Sequence, residues 1–432
     1  MPRPEASLSS NRRDFLKQST GAIVSGSLAA TLGGVRSVHA AGSDILRIGL
    51  IGCGGRGSGA AVNALKADEN TQLVAMADAF HDRALTSRDN IRKNNQVGDR
   101  CVVEDDRVFS GFDGYEKVLE SDVDVVLLCS TPHFRPRHLR AAIEAGKHVF
   151  CEKPVAVDPT GVRSVLETTE MARQRNLCLV SGLCWRYDDA VRETIKQIQD
   201  GAIGDIVSMQ ENYLTGTLWH RGRKPEWSEM EYQLRNWYYF TWLSGDHIVE
   251  QHIHSLDKAL WLMNDQPPVS CYGMGGRQVR CEEQWGNIYD HFAVCYEWEN
   301  GVRTYAYTRQ MKNCFRDVDD YILGTKGEAR VLKFTITGEN EWKRPKGPRP
   351  SMYDAEHQAL FAGIRSGNIL NNGTYMSFST LMAIMGREVC YTGQRITWDE
   401  ALNAKQDRTP SGYEWGDVEI PQVALPGVTP FA

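Results

Sequence analysis

No C-x-x-C pair occurs anywhere in the chain, so the usual zinc-ligand spacing is missing. Its eleven cysteines are an odd number, and several, such as Cys129 and Cys178, sit in apolar runs, which favours buried free thiols over a disulfide framework. Charge of neither sign prevails: 49 Lys and Arg against 55 Asp and Glu leave a formal net charge of −6. Such a balance excludes the surface expected of a nucleic-acid-binding protein and the composition of a disordered one. A stable membrane span is also missing, because the mildly apolar stretch from Gly21 to Leu32 is too short and too polar to cross a bilayer. There is no internal repeat or low-complexity tract after this stretch. What remains is 432 residues of ordinary composition, enough for two domains with sizeable cores.

The first positive signal is Ile48 to Gly59. An apolar run from Ile45 to Ile51 ends in glycines at 52, 54 and 57, and Ala60 to Leu65 then opens a helix. This is strand, turn, helix. Gly52 and Gly54 permit the tight turn and let the backbone approach a pyrophosphate, Gly55 and Arg56 lie inside the turn, and Gly57 lets the helix pack closely. The free N–H groups of the helix N-terminus then face an anion. Asp78 closes the next apolar run, Leu73 to Ala77, where an acid would meet the adenosine ribose. Its charge favours NAD, with NADP as the alternative because His81 and Arg83 lie close by.

Further along, Val123 to Cys129 is a nearly continuous apolar run, as in a strand covered on both faces, and Ser130-Thr131-Pro132 breaks it at the end where ligands sit in open α/β sheets. A helix Pro136–Ala145, a strand ending at Cys151, Glu152-Lys153-Pro154, a helix Asp158–Arg175 and a strand Leu177–Ser181 follow. Beyond, a helix is expected over Ala190–Gln199 and a strand over Ile206–Tyr213. Gly216–Trp242 reads as irregular, Val249–Met263 as a helix, and several alternating segments as a largely antiparallel sheet. Helices are expected over Glu356–Ser366 and Tyr375–Tyr391, before a Pro/Gly-rich tail that wraps a surface or a neighbouring subunit. The fold class is therefore α/β. A Rossmann doubly wound parallel sheet occupies 45–180, a substrate-binding α+β domain with an open, largely antiparallel sheet occupies 181–405, and a tail occupies 406–432.

The glycine turn, Asp78, Thr131-Pro132 and above all Ala145-Gly146-Lys147-His148-Val149-Phe150-Cys151-Glu152-Lys153-Pro154 resemble the glucose-fructose oxidoreductase and inositol dehydrogenase family, Gfo/Idh/MocA. Trp185-Arg186-Tyr187 and Leu323-Gly324-Thr325-Lys326-Gly327 also resemble segments of that family. The resemblance implies an NAD(P)-dependent oxidoreductase acting on a sugar, a cyclitol or a derivative, and commonly a cis Lys-Pro bond. It places Lys153 beside the substrate hydroxyl, with Glu152, Ser130 and Thr131 near the cofactor. An ammonium there favours the alkoxide that forms as hydride leaves carbon. Glu250 and His254, four residues apart on a helix, are the second catalytic pair: the carboxylate orients the imidazole and raises its proton affinity, and His254 acts as base. Asp246 is expected to cap the helix. A metal site from His247, Glu250 and His254 is the weaker reading of the same helix, so none is assigned. Arg186 and Tyr187 are expected near the nicotinamide or substrate. Trp237 and Tyr238 belong to an aromatic-rich stretch suited to stacking on sugar rings, and His291 on the sheet is placed in reach of the cleft.

Residues 1–40 resemble a twin-arginine export signal, with Arg12-Arg13 ahead of the apolar run and cleavage after Ala40. Export implies a periplasmic location, the export machinery as partner, and a cofactor that stays tightly bound, since free nucleotide is scarce outside the cytoplasm. The family also implies a homo-oligomer. Two other outcomes stay open: a hydrolase that oxidises a glycoside transiently, eliminates and re-reduces, and a sugar-binding protein without activity.

Overall fold

The computed structural model describes residues 44–420 and 422–431. The expected export signal and its cleavage position lie outside them. Six strands form the first sheet: β1 (Leu46–Ile51), β2 (Thr71–Asp78), β3 (Val108–Ser110), β4 (Val125–Leu128), β5 (His148–Cys151) and β6 (Leu179–Ser181). All pair in parallel, in the order β3-β2-β1-β4-β5-β6. The uninterrupted apolar runs explain the burial. Val125 and Leu127 join the core under the helices Gly55–Ala67 and Met352–Ser366, while Val126 and Leu128 join the core under Arg135–Glu144 and Pro159–Gln174. Successive residues of one strand thus serve opposite helical layers. Met352–Ser366 comes from far along the chain, yet its Leu360, Phe361 and Ile364 complete the core beneath the first sheet.

The second sheet has nine strands: β7 (Ile206–Thr215), β8 (Ser270–Gly276), β9 (His291–Glu297), β10 (Arg303–Gln310), β11 (Asp317–Gly324), β12 (Gly327–Arg330), β13 (Thr335–Gly338), β14 (Trp342–Lys343) and β15 (Ile396–Thr397). Their order is β14-β13-β12-β11-β7-β10-β9-β8-β15, antiparallel except where β7 meets β10. One face carries the helices Ile253–Leu262 and Gly373–Thr392. The other leaves Tyr272, Met274, Tyr305, Tyr307 and Leu323 exposed.

Three elements differ from expectation. Within Gly216–Trp242 a helix forms at Glu229–Arg235, because the Ser228 side chain accepts from Glu231 N and caps it. β8 escapes the alternation pattern because three of its seven residues are glycine. The helix foreseen over Val249–Met263 opens with a π-turn at Ile248–His252 before becoming regular.

Candidate active site

A cleft of about 620 Å³ lies beyond the carboxyl ends of β1, β2, β4 and β5, where open parallel sheets bind ligands. The glycine turn forms its floor. Gly52 has φ of +96°, and a Cβ there would sit 2.3 Å from Ser130 N. At Gly57 a Cβ would lie 1.9 Å from the Gly52 carbonyl oxygen. Gly54 and Gly55 face open space instead, with no atom within 4 Å of an added Cβ. The helix Gly55–Ala67 has no side-chain cap, so its first N–H groups point at that space. This is a cradle shaped for a pyrophosphate.

Asp78, Ser130 and Thr131 line the same cleft. Cys53 N donates to Asp78 at 2.7 Å and Phe80 N at 3.0 Å. Burial pushes the Asp78 carboxyl up, against the pull of Arg83 and of those two N–H groups. Ser130 Oγ bonds His138 Nδ1 at 3.1 Å, and Thr131 Oγ1 has no partner among the described residues. Together these features fit a dinucleotide laid across the glycine turn.

At the other end stand Glu152 and Lys153, joined to Pro154 by a cis peptide bond as the resemblance implied. Arg56 pairs with Glu152 through Nε and with Glu356 Oε1 at 2.9 Å, and its guanidinium lies 4.8 Å from the Tyr353 ring centre. The turn that holds the cofactor is thereby tied to the segment that carries Lys153. Lys153 Nζ donates to Glu250 Oε1 at 2.8 Å and to the Glu250 carbonyl at 2.5 Å. Both side chains are almost buried, at 12% and 10% exposure, so solvent screens this pair little.

His254 lines the cleft as expected, but Glu250 does not orient it. The Glu250 oxygens go to Lys153 and, at 2.7 Å, to Gln251 Nε2, and His254 Nδ1 has no partner among the described residues. The physical reason is competition: the Lys153 ammonium and the Gln251 amide take both carboxylate oxygens. The expected rise in proton affinity is reversed too. Burial, then the charges of Lys153, Lys258 and Arg56, push His254 well below the ordinary histidine value. It is therefore a neutral imidazole at physiological pH.

Four side chains placed in substrate contact lie elsewhere. Arg186 is locked by Asp257 at 3.0 Å and Asp265 at 2.6 Å, and stacks 3.8 Å over Tyr375. Tyr187 OH donates to Asn372 Oδ1 at 2.7 Å on the far side of β6 from the cleft residues. Tyr238 is 1% exposed, in an aromatic core, and its hydroxyl accepts from Gln310 Nε2. His291 is paired with Asp290 at 2.8 Å on β9 and does not line the cleft. Trp237 does line it. Asp246 is no helix cap either. With φ of +78° it accepts from His247 N, from Tyr289 N at 2.8 Å and from the Tyr391 hydroxyl, welding the start of this segment to the residues just before β9 and to the helix Gly373–Thr392. His247 is fully buried against Asp246, away from His254. Among the described residues no three His, Cys, Asp or Glu side chains gather as metal ligands.

Sequence reasoning missed Cys184, Trp185, Tyr213, Arg221 and Tyr353, all of which line the cleft. Cys184 and Trp185 directly precede the flagged Arg186, and Tyr213 closes an expected strand, so position could have found them. Tyr353 comes from the distant helix Met352–Ser366, and no local pattern marks it.

Comparison with known proteins agrees with this geometry. Residues 46–182 match the model of an oxidoreductase family with an NAD-binding Rossmann fold, and residues 191–330 match the Gfo/Idh/MocA C-terminal domain. An inositol 2-dehydrogenase of Pseudomonas savastanoi pv. phaseolicola is 29% identical over 351 residues, covering 78% of this chain and 92% of its own. A glycosyl hydrolase family 109 protein of Solibacter usitatus is 26% identical over 234 residues, covering 52% of this chain and 51% of its own. The solved structure of apo scyllo-inositol dehydrogenase from Lactobacillus casei shares the fold with a TM-score of 0.63 at 20% identity, covering 83% of this chain and 99% of that one. With the glycine cradle, the Glu-Lys-Pro segment and both domain matches in one chain, the protein belongs to the Gfo/Idh/MocA family and is an NAD-dependent oxidoreductase.

Proposed function

We propose that the protein is exported by the twin-arginine route, loses residues 1–40, and transfers hydride in the periplasm between a retained NAD and a secondary hydroxyl of a sugar, cyclitol or glycoside. The observation that carries the chemistry is the Lys153 ammonium held between the Glu250 carboxylate and carbonyl, in the cleft that His254 also lines. NAD, when bound over the glycine turn, accepts or returns the hydride. Lys153 donates to the substrate oxygen and offsets the negative charge that grows there. His254, kept neutral, has a free lone pair for the hydroxyl proton. Trp219 and Trp237, which line the same cleft, offer faces for an apolar sugar face. The relative named an inositol 2-dehydrogenase supports this substrate class.

The test begins with identifying the nucleotide in dialysed protein, then screening sugars, cyclitols and glycosides for its reduction. Nucleotide-free protein that oxidises sugars only with added NAD would end the retention idea. The relative named a glycosyl hydrolase family 109 protein keeps a hydrolytic reading alive. Release of free sugar with no net redox change would select it. Self-association through the open sheet face is part of the same reading, because Tyr272, Met274, Tyr305, Tyr307 and Leu323 all stand exposed on it, and exposed apolar side chains gathered on one face mark interaction surfaces.

A further inference from the structure

Among the described residues the tail beyond Asp407 has no helix or strand, yet it is fastened at several points. Arg408 N donates to Asp158 at 2.9 Å, Met230 N donates to the Gly416 carbonyl at 3.0 Å, and Gln233 Nε2 to the Glu419 carbonyl at 3.3 Å. Between these anchors two aromatic side chains meet the Rossmann half. Trp415 lies 5.3 Å from the Phe80 ring and 4.8 Å from Phe112. Tyr413 lies 5.7 Å from Phe112 and 5.5 Å from Phe134, and its hydroxyl bonds His133 Nε2 at 2.8 Å.

Phe80, Phe112 and Phe134 all line the cleft, and they do so beyond β2, β3 and β4. Phe80 comes two residues after Asp78 and its N–H donates to that carboxylate, so this wall stands at the ribose-acid end, across the glycine turn from Lys153. In a dinucleotide that end receives the adenosine. Aromatic rings held edge to face or tilted form a platform for a purine, and a platform binds better when its rings cannot turn away. Arg235 holds the Phe80 ring from another direction, with its guanidinium 4.0 Å from the ring centre.

We propose that the tail backs the wall of the adenosine subsite, with Tyr413 and Trp415 as positioning residues that set Phe80, Phe112 and Phe134 for the purine. This rests on the reading above that NAD is retained, and it names the segment that retains it. Because Trp415 is 47% exposed, its loss leaves the apolar cores intact.

The test uses the mature full-length chain stripped of nucleotide, with dissociation constants for NAD and for ADP-ribose and the melting temperature of the free protein. Trp415→Ala is expected to weaken both ligands about tenfold at unchanged melting temperature, with Trp415→Phe restoring most of the affinity. Unchanged affinities would overturn the proposal. So would a loss of affinity that follows a fall in melting temperature with Trp415→Phe no better than Trp415→Ala. ADP-ribose binding needs no substrate, so it is measured equally well if no sugar proves to be oxidised.

Discussion

At the scale of single residues, the proposed mechanism divides labour between Lys153 and His254. The ammonium is clamped by two acceptors from Glu250, and the imidazole is kept neutral by burial and by three cations. Lys153→Met removes the only cleft cation placed on the Glu-Lys-Pro segment, and kcat is expected to fall by about 10² to 10³, the usual cost of losing one oxyanion donor. Lys153→Arg is expected to rescue little, because a planar fork cannot reproduce a point charge between a carboxylate and a carbonyl. Steady-state rates on the best substrate check both. The pH profile follows from the sign of the His254 shift. A base must be unprotonated, so activity is lost as pH falls through its pKa in the free enzyme, and that pKa is depressed from 6.5. The acid limb of kcat/KM is therefore expected below pH 6.5. A limb centred above that value would show that another group takes the proton.

At the scale of elements, the strand-turn-helix unit separates folding from binding within a few residues. Gly57→Ala drives a Cβ to 1.9 Å from a backbone oxygen and is expected to destabilise the domain by several kcal/mol. Gly54→Ala meets nothing in the protein and keeps an ordinary backbone, φ −71°, so the melting temperature is expected to hold. Its methyl group occupies the pyrophosphate cradle, however, and NAD affinity is expected to drop about a hundredfold or more. Thermal unfolding beside NAD titration of the two variants decides it. This unit was legible in the sequence because glycine spacing, strand and helix are all local, and Glu152-Lys153-Pro154 was legible for the same reason. Arg186 and Tyr238 were misplaced because their partners, Asp257, Asp265 and Gln310, are remote in sequence, and only the fold shows that their polar groups are already satisfied. The link between Glu250 and His254 failed for a similar reason: Lys153, nearly a hundred residues away in sequence, takes one carboxylate oxygen and Gln251 the other. Arg387, fully buried, bonds the carbonyls of Val157 and Gly245 and so ties the segment after Lys153 to the start of the catalytic helix. Nothing near position 387 announces that.

At the scale of the whole molecule, the enclosed histidines set the response to acid. Burial pushes His138 and His252 down to about 3, and His247, His254 and His357 move the same way. Above pH 6.5 folded and unfolded chains both hold these groups neutral, and they contribute nothing. Below it the unfolded chain takes up protons that the folded chain refuses, so stability falls with pH until the folded values near 3 are reached. Between pH 6.5 and 5 each of His138 and His252 costs about 2 kcal/mol. Glu211 and Glu356, pushed well above the usual carboxylate range by burial and then by a neighbouring acid, act in the opposite sense, because the folded chain holds protons there that the unfolded chain releases. Burial raises Asp78 and Asp158 in the same sense and lowers His133 to about 4, so four carboxyls stand against six imidazoles and the histidines stay dominant. The melting temperature is thus expected to fall steadily from pH 7 to 5. His252 is the residue on which to test this, since it is fully buried and neither ring nitrogen has a partner among the described residues. His252→Leu removes one proton site and gives up a contact with the Glu211 backbone, and its melting temperature is expected to depend less steeply on pH than that of the parent. A slope as steep as the parent's would place the acid sensitivity elsewhere in the fold.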